Sequence, residues 1–277
     1  MELDSRPFGR MSAHVTVTGQ GPPLLLVHGL MTTSYSWRYM LEPLGRHFTL
    51  YVPDLPGAGR SDGPLGARYS VQNLGTWLGE LQQALGIVGC AVVGNSLGGA
   101  ICAAALAQRP ASMERLLILH APGFAEARLW LLQAALALPG SQSLLGWLIR
   151  RAPLRWAHRN VHYWDESLKS LEEAEEYGRP LAAPGGAEAF WHHLKEAVNP
   201  RSFQRLQADL RALTDHPPIR LLYARRDPMV PPRLGPRWKQ SLPAADLLWI
   251  EEGSHFAHVD APDAFLAATL PFLGVRG

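Results

Sequence analysis

The stretch Cys90-Ala-Val-Val-Gly-Asn-Ser-Leu-Gly-Gly-Ala-Ile-Cys102 decides how this chain is read. It begins as a short apolar run, turns on small residues and continues as an alanine-rich helical run. Ser96 stands at the turn, inside Gly94-Asn95-Ser96-Leu97-Gly98. A Gly-x-Ser-x-Gly turn between a strand and a helix is the pattern of a nucleophile elbow. The two glycines matter because a side chain at either place would meet the crossing backbone. The elbow holds its serine strained, with the hydroxyl presented above the sheet. The free N–H groups of the helix that follows favour negative charge there. The pentapeptide alone more often marks an ordinary glycine turn. Its meaning depends on what the rest of the chain supplies.

Working outward, Leu24–Val27, Phe48–Val52, Leu116–Leu119, Ile219–Tyr223 and Asp246–Ile250 are apolar runs of strand length. Helical stretches separate many of them, near 35–44, 71–85 and 97–108, and a closing helix is expected over 263–273. Continuous apolar strands alternating with helices predict an α/β fold with a mostly parallel sheet covered on both faces. His14–Thr18 alternates polar and apolar residues, as an antiparallel edge strand does. From 124 to 214 the pattern is helical and contains no buried strand. The chain therefore divides into core (1–123), helical insertion (124–214) and core again (215–277). The insertion holds Trp130, Trp147, Trp156, Trp164 and Trp191, five of the nine tryptophans. Core packing accounts for most of them. An apolar substrate-binding cap accounts for others, with Met31, Trp147, Trp164 and Phe256 expected at the pocket. Leu129 to Ile149 is the most apolar stretch, but Pro139-Gly140 interrupts it, which argues against a membrane span. A helix resting on lipid would require a large exposed apolar patch.

Composition narrows the function classes. The 277 residues are 47% apolar and 18% charged, enough for a sizeable core. A net charge of +2 argues against nucleic acid and against an electrostatic membrane tether. Cys90 and Cys102 lie among apolar residues and read as buried hydrophobes. His158 and His162 are one helical turn apart, but no constellation of ligands accompanies them, so no metal is expected. Gly57 and Gly59 lack the Gly-Lys-Ser/Thr of a phosphate loop, and no cofactor is expected. The N-terminus lacks a basic-then-apolar signal, so a cytoplasmic enzyme acting on a small molecule is the expectation. Oligomeric state has no signature in the sequence.

A serine hydroxyl needs a base within hydrogen-bond reach, and histidine suits working pH. Position selects among the eleven histidines. Gly253-Ser254-His255 follows the last strand, on the edge where parallel sheets carry their sites. Asp227, after the Ile219–Tyr223 strand, is expected on the same edge to orient the imidazole. Donors for an oxyanion are expected from the backbone N–H groups of Leu97 and Leu30, with Met31 adjacent to the latter. His28 reads as a structural residue bonding loop backbone.

Together His28-Gly29, Asp54-Leu-Pro-Gly-Ala-Gly-Arg-Ser61, Gly94-Asn-Ser-Leu-Gly98, Asp227 and Gly253-Ser-His255 resemble the α/β-hydrolase superfamily. The order Ser96, Asp227, His255 is the order of its triad. The resemblance covers nearly the whole chain and is to the capped branch. It implies a mostly parallel eight-stranded sheet with antiparallel first strands and a helical cap after the sixth. Haloalkane dehalogenases and epoxide hydrolases of that superfamily use an aspartate nucleophile, so Ser96 favours acyl chemistry. A carboxylesterase acting on small to medium apolar acyl esters is the expected activity. Thioester, lactone and carbon–carbon bond hydrolysis are the alternatives, and Asn95 resembles the residue before the serine in carbon–carbon hydrolases. Against that last reading, Leu30-Met31-Thr32-Thr33 replaces a glycine-rich run. A non-catalytic receptor on the same fold is a different class, disfavoured by the complete serine, histidine and aspartate set.

Overall fold

The computed structural model describes residues 1–275. Its centre is a seven-stranded sheet built from β3 (Val15–Gly19), β4 (Pro23–Val27), β5 (Thr49–Pro53), β6 (Cys90–Asn95), β7 (Met113–Leu119), β8 (Ile219–Ala224) and β9 (Asp246–Ile250). The spatial order is β3-β5-β4-β6-β7-β8-β9. β3 runs antiparallel to β5, and every other pairing is parallel. The sheet has seven strands, not the expected eight. β1 (Glu2–Ser5) and β2 (Gly9–Ser12) pair only with each other, as a separate antiparallel hairpin. The helical insertion leaves after β7, the fifth strand of the main sheet in chain order, and returns to β8.

The helices in chain order are α1 (Leu41–Gly45), α2 (Val71–Leu85), α3 (Leu97–Gln108), α4 (Ala127–Leu136), α5 (Ser141–Arg151), α6 (Pro153–Asn160), α7 (Leu171–Ala182), α8 (Gly186–His192), α9 (Pro200–Arg211), α10 (Leu234–Ser241), α11 (Ala257–Asp260) and α12 (Pro262–Thr269). Their starts follow local chemistry. Ser70 accepts the Asn73 N–H at the head of α2, and Ser170 accepts the Glu173 N–H at the head of α7. Gly86, in the left-handed conformation, ends α2. The expected closing helix is shorter than 263–273; α12 gives way to turns after Thr269.

Each central strand is buried on both faces, and alternate residues feed two cores. Leu25, Val27, Val92, Leu116, Ile118, Leu221 and Tyr223 pack against α2, α3, α9 and α10. Leu24, Leu26, Val93, Leu117, Leu119, Leu222 and Ala224 pack under Trp37, Leu44, Ala257 and Phe265 on the opposite face. The two-residue period of a strand thus explains why these segments read as unbroken apolar runs.

The elbow is the tightest place in the fold. A Cβ added at Gly98 would stand 2.4 Å from the His28 carbonyl oxygen and 2.5 Å from that of Val27. One added at Gly94 would stand 2.8 Å from backbone atoms of Gly98. These neighbours are backbone, so no side-chain rotation relieves them. Gly98→Ala should therefore cost at least ~2 kcal/mol in urea denaturation. Gly79→Ala, in α2 with nothing within 4 Å of the added atom, should instead stabilise by ~0.5–1 kcal/mol. Equal effects at the two positions would contradict this account.

Candidate active site

The C-terminal ends of β4, β6, β7, β8 and β9 bring the chemistry-bearing residues to one edge of the sheet. Ser96 connects β6 to α3 with φ 55° and ψ −126°. Met31 after β4 (φ 66°) and His120 after β7 (φ 52°) are the other two non-glycine residues at positive φ among those described. All three lie beyond the ends of neighbouring strands, and such conformations cost about 1–3 kcal/mol each. Gly29 keeps the β4 loop close to the serine, since a Cβ there would stand 2.9 Å from Ser96 Cβ.

His255 and Asp227 form a buried pair. His255 Nδ1 lies 2.7 Å from Asp227 Oδ2. The other carboxylate oxygen accepts the N–H groups of Met229 at 2.7 Å and Val230 at 2.9 Å. Burial would raise the Asp227 carboxyl, but the charge and hydrogen bond of His255 outweigh it and hold it below its ordinary value. The carboxylate stays ionised and accepts from Nδ1–H, which leaves Nε2 of a neutral His255 as its basic nitrogen. No hydrogen bond joins Ser96 Oγ to His255 among the described residues, yet both border the same cavity. In ligand-free sites such bonds are often long and tighten when substrate arrives.

That cavity measures about 620 Å³ and is mostly apolar. The core contributes Leu30, Met31, Ser96, Leu97, His255 and Phe256. The insertion contributes Leu129, Leu132 and Leu136 from α4, Leu145 from α5, Trp156 from α6 and Phe190 from α8. The backbone N–H groups of Leu30, Met31 and Leu97 have no protein acceptor among the described residues, and their chain positions border the cavity. Trp147 and Trp164, expected at the pocket, are not on its wall. Trp147 is 52% exposed, with the Arg151 guanidinium 5.3 Å from its ring centre. Trp164 is 45% exposed, and Arg226 lies 4.1 Å over its ring. Leu145 and Ile149 take the inner side of α5, and Val161 and Tyr163 are the buried residues beside Trp164, which leaves both indoles outward. A second cavity, about 380 Å³, is lined by Arg38, Asp54, Arg60 and Arg179 and contains none of these residues.

Several roles emerge only from contacts. The Asn95 amide donates to the His255 carbonyl at 3.1 Å, tying the elbow to the histidine loop. Asp260 accepts the N–H groups of Ser254 and Trp164, at 3.2 and 2.7 Å, which bolts the insertion to that loop. His120 Nδ1 accepts the Ala224 N–H at 3.2 Å and lies 3.3 Å from Asp227 Oδ2. Burial lowers His120 to about 3, despite the opposing pull of Asp227, so a neutral ring packs against the pair. The sequence marked His120 only as a residue after a strand. His28 is structural as expected: its Nε2 accepts the Leu55 N–H at 2.9 Å, and Nδ1 donates to the Gly29 carbonyl at 2.8 Å. His162 stands 3.4 Å from Glu166, and no group of three metal-ligating side chains occurs among the described residues.

Four buried histidines share one electrostatic condition. Burial lowers His28 and His258 below 6.5, His193 to about 4 and His120 to about 3. Their folded forms are neutral, whereas the unfolded chain takes up protons as pH falls through 6.5. Their contribution is complete above that value and is lost progressively below it; for His120 and His193 the loss runs at about 1.4 kcal/mol per pH unit each. Urea unfolding at pH 7.5 and at pH 5.5 should differ by several kcal/mol, the acidic sample being weaker. Equal stability at the two pH values would contradict the neutral assignment.

Comparison with known proteins places the chain in a family. A pimeloyl-[acyl-carrier protein] methyl ester esterase of Aeromonas salmonicida is 26% identical over 277 residues, covering 95% of this chain and 100% of that protein. A 2-hydroxy-6-oxo-2,4-heptadienoate hydrolase of Pseudomonas putida is 26% identical over 273 residues, covering 97% and 95%. Among solved structures, the epoxide hydrolase CorEH superposes with a TM-score of 0.83 at 20% identity, over 99% of this chain and 98% of that one. The model of the alpha/beta hydrolase fold family matches residues 22–262, and the chain belongs to that family.

Proposed function

We propose that this hydrolase cleaves small to medium apolar carboxylic esters through an acyl-enzyme on Ser96. The observation that carries the reading is the joint position of Ser96 and the His255–Asp227 pair on one mostly apolar cavity. His255 Nε2 takes the Ser96 proton as Oγ attacks the acyl carbon. The N–H groups of Leu97 and Leu30 hold the oxyanion. His255⁺ returns the proton to the departing alcohol, and Asp227 stabilises the imidazolium meanwhile. Water then gives its proton to His255 and adds to the acyl carbon, and the acid leaves as Ser96 Oγ regains the proton. No step calls for a cofactor. The insertion over 124–214 serves as the cap, because its leucines and Trp156 form the wall that an acyl chain would touch.

Carbon–carbon bond hydrolysis is the second reading. It is favoured by the relative named for a ring-cleavage product and by Asn95 before the serine. The Asn95 amide, however, is engaged by the His255 carbonyl, a structural bond that does not distinguish one serine chemistry from another. Thioester and lactone cleavage use the same steps and differ only in the leaving group.

With p-nitrophenyl butyrate as substrate, Ser96→Ala should lower kcat at least about 10⁴-fold, and Asp227→Asn by about 10³–10⁴-fold. Turnover by Ser96→Ala at the parent rate would sink the proposal. Faster turnover of 2-hydroxy-6-oxo-2,4-heptadienoate than of every ester in a chain-length panel would favour the second reading. Within that panel, Leu132→Trp should shift preference toward shorter acyl chains, whereas Trp147→Ala should leave it unchanged.

A further inference from the structure

The outer side of the insertion carries an unusual surface. Fifteen large apolar side chains are exposed among the described residues, and seven fall between Trp130 and Leu154. On α5 the exposed residues Leu144, Trp147, Leu148 and Arg151 recur at the spacing of one helical face. Leu131 is 74% exposed on α4, and Leu138 just beyond it is 64% exposed. Scattered apolar residues need no explanation, but a concentration of them on a few short helices does.

The charge on these helices has one sign. From Ala127 to Trp164 the chain contains five arginines, at 128, 150, 151, 155 and 159, and no acidic residue. Arg150 is paired with Glu188 at 2.8 Å, and Arg128 approaches Glu126 at 3.7 Å. Arg151 rests against Trp147. Arg155 and Arg159, one turn apart and exposed, have no ion-pair partner among the described residues. Leucine and tryptophan beside unpaired arginine are the composition of helices that lie in the headgroup layer of an anionic membrane.

We propose that α4, α5 and α6 form a docking face for an anionic lipid surface. The leucines and indoles enter the headgroup boundary, and Arg155 and Arg159 meet lipid phosphates. Charge complementarity selects this occupant. A second copy of the chain meeting this face symmetrically would set Arg155 and Arg159 against their own equivalents, because Glu126 and Glu188 are already paired with other arginines. No helix among the described residues is long and apolar enough to span a bilayer, so the contact is peripheral. The same helices wall the cavity from their inner sides, with Leu132, Leu145 and Trp156 facing inward. Docking does not depend on the chemistry at Ser96, and its test reads no turnover.

The intact chain should sediment with vesicles of phosphatidylcholine containing phosphatidylglycerol, far less with phosphatidylcholine alone, and less as salt rises. Arg155→Glu with Arg159→Glu should weaken the anionic-vesicle binding about tenfold or more. Leu144→Ser with Leu148→Ser should weaken it comparably. Both double variants alter exposed residues, and circular dichroism should find them folded; a variant that fails this check is replaced by the corresponding alanine pair. Three results would overturn the proposal. One is no sedimentation with anionic vesicles. Another is equal binding to both vesicle types that charge reversal leaves untouched. The third is a dimer in analytical ultracentrifugation that Leu144→Ser with Leu148→Ser dissociates.

Discussion

The contact on which this structure depends is the approach of α3 to the end of β4, where Gly98 lies against the carbonyls of Val27 and His28. The approach fixes where the first turn of α3 begins. Ser96 must then bridge β6 and α3 in a conformation that residues with a side chain rarely adopt. A local strain of this kind persists only where the surroundings over-determine it. Here they include the Ser96 N–H bond to the Leu119 carbonyl at 2.8 Å, the buried strands on either side and the apolar face of α3 against α2. The sheet core thus holds the Ser96 turn in shape, and Gly29 and Gly98 keep the β4 loop close to it.

A second constraint couples the pieces across the edge. The side chain next to the serine grips the backbone of the histidine, and the carboxylate of Asp260 grips both the histidine loop and the insertion. These bonds tie together elements 160 residues apart in one case and 96 in the other. The neutral His120 ring closes the far side of Asp227, which has no exposed side-chain surface. Its lone pair is occupied by the Ala224 N–H, so it fills space beside the carboxylate without competing for the role of His255.

Much of this was legible in the sequence because it follows from periodicity and position. Buried parallel strands show as apolar runs, and the rule that sites lie at their C-terminal edge selected His255 and Asp227 from many candidates. The separate β1–β2 hairpin was not legible. Its strands are four residues long, with two buried residues in β1 and one in β2, so nothing in either stands out. The cavity wall was misjudged for a physical reason. Tryptophan content signals large side chains but not their direction: Leu132, Leu145 and Trp156 face the cavity, whereas Trp147 on α5 and Trp164 in the bend after α6 face out. His120 was invisible because its significance is a contact with a residue more than a hundred positions away. Net charge conceals a different feature. The value of +2 sums an arginine stretch and the glutamates at 172, 173, 175 and 176 on α7, and the average hides both.

The point where the insertion leaves and rejoins the sheet has an evolutionary consequence. β7 and β8 are parallel neighbours, paired from Leu116 with Ile219 to Leu119 with Leu222. The helical excursion therefore starts and finishes on adjacent strands whose register is set by their own backbone bonds. Its length and lining can drift through many generations without disturbing the pairing beneath. One interval that walls the cavity can thus be rewritten while the strands beneath keep their pairing.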